Sequence, residues 1–247
     1  MKRPLLHRLV LPLAAMAAWV AIPRADASTI FWESGFVDGD FLLYDAAGQP
    51  LGGEFSFEIG SFDNGFVPTA ENLNDWAANW KVFDRAFDAT PNDPDDGDPD
   101  GWSAGNGFFT RTVEHTADEG SSSPYADPAD TFQQGETVYL WVYNTKDRIT
   151  TTEWALVTDG DNVVEDADNW VFPDPADPVD VSYTWQLDDA DVALHGSLNG
   201  TTGGGQAYTL QTSLVPVPEP GSFLLVAMTG LGVLLSRRRP RHSAPAH

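Results

Sequence analysis

The sequence contains no cysteine, which excludes a disulfide scaffold, a Cys-ligated zinc or iron–sulfur site and a thiol nucleophile. Cations are scarce as well. Thirteen Lys and Arg stand against 37 Asp and Glu, a net charge of −24 over 247 residues. That deficit argues against nucleic acid as a partner, because phosphate binding needs Lys and Arg clustered on one face. Only His115 and His195 lie in the body of the chain, and neither belongs to an H-E-x-x-H or other paired pattern. A His-based zinc site is therefore not expected. What remains is 42% hydrophobic and 12% aromatic. That is enough to build a core, in a length that suits one domain or two small ones.

The few cations sit mostly at the ends. Eight of the 13 basic residues and two of the 37 acids lie outside residues 28–216, leaving 5 bases and 35 acids there. Residues 1–27 read as a secretory signal peptide: Lys2, Arg3 and Arg8 form a positive region, Leu9 to Ile22 is apolar, and Ala25-Asp26-Ala27 offers a small-x-small cleavage site before Ser28. A second apolar run, Phe223 to Leu235, precedes Arg237, Arg238 and Arg239. Thirteen helical residues span only about 20 Å, less than the ~30 Å hydrocarbon core. The Arg cluster nevertheless marks a cytoplasmic stop, which makes the run a C-terminal transmembrane helix. Pro218 and Pro220 keep the segment before it extended and open to a membrane protease.

Residues 217–241 therefore present Pro218-Glu219-Pro220, a short apolar helix and an Arg cluster, in that order, followed by a tail at 242–247. This arrangement resembles the PEP-CTERM sorting signal of Gram-negative bacteria. The resemblance implies export by the Sec machinery and transient residence in the inner membrane. It further implies processing by an exosortase, with release to the cell surface or an exopolysaccharide matrix.

Residues 28–216 carry mostly strand signals. Glu54-Phe55-Ser56-Phe57-Glu58-Ile59 alternates with period two, and Phe41 to Tyr44, across the Gly48–Gly53 turn cluster, is its expected partner. Thr137 to Tyr143, apolar on both faces, reads as a central strand. Further strands are expected at Ile30–Glu33, Phe108–Val113, Trp154–Thr158, Val181–Leu187 and Ala207–Ser213. Short strands separated by Gly, Asp and Pro predict an all-β fold, an antiparallel β-sandwich of jelly-roll or Ig-like type. One short helix is expected near 70–81, capped by Thr69, with Leu73, Trp76, Ala77 and Trp80 on one face.

Two local motifs bear on chemistry. Asp88 to Gly101 holds six Asp, three Pro and two Gly, so it is a loop. Within it Asp96, Asp98 and Asp100, followed by Gly101, match the first half of a calcium loop, but Gly107 stands where a bidentate Glu belongs. Calcium and a solvated acidic loop both fit this pattern. Gly101-Trp102-Ser103-Ala104-Gly105 is a literal G-x-S-x-G with His195 downstream. A nucleophile elbow must join a strand to a helix, and the Asp-rich loop before Ser103 does not offer that context. Three functions follow from these features. The first is a non-enzymatic structural or adhesive protein of the cell surface or exopolysaccharide matrix. The second is a calcium-assisted carbohydrate-binding module, and the third a serine hydrolase using Ser103.

Overall fold

The computed structural model describes residues 27–35, 42–89, 100–146, 148, 151–160, 170–175 and 182–214. Within them the chain forms thirteen strands: β1 (Ala27–Glu33), β2 (Leu43–Tyr44), β3 (Ser56–Phe62), β4 (Trp80–Phe87), β5 (Trp102–Ser103), β6 (Phe108–Thr116), β7 (Tyr139–Tyr143), β8 (Glu153–Thr158), β9 (Ser182–Gln186), β10 (Val192–His195), β11 (Ser197–Thr201), β12 (Ala207–Gln211) and β13 (Ser213–Leu214). A four-stranded sheet runs β5-β6-β1-β9. A six-stranded sheet runs β10-β8-β7-β3-β4, with β13 also paired to β8, and a small third sheet runs β11-β12-β2. The all-β expectation holds. The predicted signal peptide before Ala27 and the predicted transmembrane helix lie outside the described residues. Among those residues, no helix is long and apolar enough to cross a membrane.

The two larger sheets share one core. Ile30 and Trp32 of β1, Val113 and Phe109 of β6 and Trp185 of β9 meet Phe57 and Ile59 of β3, Leu140 and Val142 of β7, and Ala155 and Val157 of β8. Along β1 the burial alternates: Ser28, Ile30 and Trp32 point inward while Phe31 is exposed. This is the period-two pattern of a strand with one face in the core. The sheets are also tied by a buried polar link. Asp84 of β4 is wholly enclosed and accepts from the Trp32 indole at 2.9 Å and from the Ser123 hydroxyl at 2.6 Å. Arg111 of β6 lies 3.4 Å from it. Three donors compensate the desolvation of that carboxylate.

The six-stranded sheet is buried on both faces, so β3 shows no exposed residue. Its second face carries Phe62, Trp80, Trp141, Tyr143, Trp154 and Leu156, closed over by Trp76. The predicted central strand is β7, which runs between β8 and β3. At the β3–β4 pair the register slips between Ile59 and Gly60, and Phe83 is the extra residue on β4. The bulge lets consecutive residues Phe83 and Asp84 both enter the core. Gly60 is required there, because a Cβ would stand 2.0 Å from the Lys81 carbonyl oxygen.

Three expectations need correction. First, β2 pairs with β12 in parallel, and not with β3. The Gly-rich turn folds back on β2 itself: Leu51 donates to the Leu43 carbonyl and Tyr44 bridges Pro50. Second, the pairing is not purely antiparallel, since β1–β9 is parallel as well. Both parallel pairs join strands far apart in sequence, where no tight turn dictates direction. Third, the short helix is a 3-10 turn at Leu73–Asp75 followed by α1 (Trp76–Asn79), and Trp80 already opens β4. Thr69 does not cap it; the Thr69 amide instead donates to the Asn72 side chain at 2.8 Å. Strands β4, β5, β10 and β11 were not predicted, and β4 took the C-terminal end of the expected helix.

Candidate functional site

The sorting residues Pro218, Glu219, Pro220, Arg237, Arg238 and Arg239 lie outside the described residues, as do Asp96 and Asp98. Asp100 is described. Its carbonyl accepts from the Phe87 amide at 3.0 Å, and its carboxylate lies 3.5 Å from the Tyr125 hydroxyl. Burial, and then the Asp100 charge, push the Tyr125 pKa up. Among the described residues no group of three Asp, Glu or His is placed to hold a metal ion.

Ser103 ends β5 and enters a tight turn to β6, not a helix. Its carbonyl accepts from the Asn106 and Gly107 amides, and its hydroxyl accepts from the Asn106 side chain at 2.7 Å. The two body histidines are engaged elsewhere. His115 Nε2 meets the Phe132 carbonyl at 2.9 Å, so that nitrogen carries the proton; His195 Nε2 meets the Ser213 carbonyl at 3.3 Å. Burial lowers the pKa of both rings. The hydroxyl and the rings thus form no Ser–His pair.

The polar chemistry gathers instead on the second face of the six-stranded sheet, around Glu58. This carboxylate is 2% exposed, set in β3 between β4 and β7. Tyr143 of β7 donates to its Oε1 at 2.7 Å, and the Trp80 indole donates to its Oε2 at 3.0 Å. Arg148 Nη1 also donates to Oε2, and Arg85 Nε lies 3.8 Å from Oε1. Burial first, then the Glu58 charge, push the Tyr143 pKa far up, so the phenol stays a donor. Arg85 is held by the Lys146 carbonyl at 2.6 Å, and the Lys146 ammonium by the carbonyls of Gly53 and Asp88. Burial lowers the Lys146 pKa; the Asp88 charge opposes that and the Arg85 charge adds to it.

Glu58, Arg85, Tyr143, Lys146 and Arg148 line a cavity of about 400 Å³ whose wall also includes Asn74, Ala77 and Ala78. Three of the five cations in residues 28–216 converge on it. A second cavity of about 540 Å³ is lined by Phe62, Phe66, Tyr139, Gln133 and the Lys81–Glu136 ion pair, whose separation is 2.7 Å. Neither cavity was anticipated. The alternation around Phe55–Ile59 assigns Glu58 to a solvated face, but the Trp76 segment covers that face. The legible signal was the pair Lys146 and Arg148 in a body almost devoid of bases.

The folded body thus carries no metal cluster or Ser–His pair among the described residues, and the strongest functional signal lies in the tail. That tail defines an exported protein bearing a C-terminal sorting signal. Residues 216–239 match the family model of the PEP-CTERM protein-sorting motif. The motif implies export and exosortase-mediated sorting to the cell surface. No curated protein and no solved structure matches the chain.

Proposed function

We propose that this is a non-enzymatic protein whose acidic β-sandwich body serves a structural or adhesive role at the cell surface or in the exopolysaccharide matrix. The Sec machinery exports it. The C-terminal helix then anchors it in the inner membrane until the exosortase acts at Pro218-Glu219-Pro220. The observation that carries this reading is the sorting motif at residues 216–239. The body supports it in a second way: its charge and its doubly covered sheet suit a soluble module outside the membrane.

Fractionation of cells with and without the exosortase tests it. The chain is expected to lose its C-terminal segment and leave the membrane only when the enzyme is present. Retention in the inner membrane with an unaltered C-terminal mass in both strains would defeat the proposal.

A further inference from the structure

The pocket around Glu58 has three features that a purely structural ion pair does not need. Within its lining three cations, Arg85, Lys146 and Arg148, face one carboxylate, Glu58, while Asp88, Asp100 and Glu54 act on Lys146 from outside it. The Nε of Arg148 is screened from solvent yet donates no hydrogen bond among the described residues, and that of Arg85 only approaches Glu58 Oε1, at 3.8 Å. A buried N–H left without an acceptor is costly, and so is rare in folded proteins. The cavity is also open space, about 400 Å³, in a body that otherwise repels anions.

The chemistry of the lining selects the ligand. Guanidinium forks match the planar, bidentate geometry of a carboxylate or a phosphate. Glu58 discriminates between them: its buried negative charge cancels one of the three positive charges and sits against any bound anion, which penalises a dianion more than a monoanion. The volume far exceeds that of a bare carboxylate. The Asn74 amide and the methyl groups of Ala77 and Ala78 offer one polar and two apolar contacts to whatever carries it. A sugar ring has that mixture of hydroxyls and apolar C–H faces.

We propose that this pocket binds a carboxylate-bearing sugar, a uronate. Arg85 and Arg148 hold the carboxylate, Lys146 adds charge, and the ring rests against Ala77 and Ala78. The inference stands on the pocket alone and does not depend on where the protein is delivered.

Calorimetry on the purified full-length chain tests it with four probes: glucuronate, a glucuronate trisaccharide, glucose and inorganic phosphate. Both uronates are expected to bind, with glucose and phosphate at least tenfold weaker. Tighter binding of the trisaccharide identifies a polysaccharide end as the source, and equal binding identifies the free sugar. Arg148→Gln is expected to lose at least tenfold in uronate affinity, while Lys81→Gln, at the other cavity, leaves it unchanged. Lys146→Gln, whose ammonium bonds the Gly53 and Asp88 carbonyls and lies over the Phe87 ring, provides the same reading if Arg148→Gln fails to fold. Absence of heat with both uronates overturns the proposal. So does equal binding of glucose or phosphate, or full uronate affinity in a folded Arg148→Gln or Lys146→Gln protein.

Discussion

Gly60 and His115 show how single positions control this fold. At Gly60 a methyl group would collide with the Lys81 carbonyl in the bulge that lets Phe83 and Asp84 share the core. Gly60→Ala is expected to destabilise the protein by about 2–3 kcal/mol, as backbone-displacing overpacking does. Urea denaturation reads this as a lower midpoint at unchanged slope, and an unshifted midpoint would contradict it. His115 acts through protonation. Burial holds its pKa below the ordinary 6.5. Between those two values the unfolded chain binds more protons than the folded one, so stability is full above pH 6.5 and declines as pH falls through the folded value. His195 is shifted in the same direction. His115→Gln is therefore expected to flatten the fall in melting temperature below pH 6.5. An unchanged pH profile would mean that the ring is not buried as a neutral group.

At the scale of elements, the short helix illustrates what a sequence pattern can and cannot convey. The spacing of Leu73, Trp76, Ala77 and Trp80 correctly placed a helical turn against an apolar surface. It overran at Trp80, where β-pairing of Trp80 with Phe62 replaced the helical hydrogen bonds. Local periodicity is blind to such tertiary competition, and it was equally blind to Glu58, a polar position in a regular alternation that becomes buried only when a distant segment covers it. By contrast, β7 was legible because its unbroken apolar run required cover on both faces. Trp76 is the piece that supplies that cover. It is fully enclosed, with its ring 5.6 Å from Trp154 and 6.1 Å from Trp141, and its indole donates to Asn72 at 2.7 Å. Trp76→Ala is expected to cost about 3–5 kcal/mol, in line with other large aromatic truncations. It should also quench the near-ultraviolet dichroism of the indole cluster. A stability loss below about 1 kcal/mol would show that the helix is peripheral to the fold.

For the whole molecule, charge and topology set the terms. Residues 28–216 retain 35 acids and 5 bases, so the folded body repels itself, and screening should relieve the strain. Raising sodium chloride from about 10 mM, where the Debye length is near 30 Å, to about 500 mM is expected to raise the melting temperature, by roughly 3 °C for each 1 kcal/mol of repulsion removed. A melting temperature that falls with salt would point to ion pairs such as Arg148–Glu58 outweighing the bulk repulsion. The sequence carried the charge and the strand inventory, but not the strand order. Nothing local specifies that β1 will take β9 as a parallel neighbour.

That neighbour also fixes a sequence of events in time. On the proposed export route a chain threaded from its N-terminus delivers β1 first, yet β1 is an interior strand, flanked by β6 on one side and by β9, late in the body, on the other. Its inner face has no completed sheet to join until Ser182–Gln186 has crossed. On that route the body travels as an open chain and assembles late. Long-range closures of this kind are slow, and during the wait the heavy negative charge has a second use: it keeps unfinished neighbours apart.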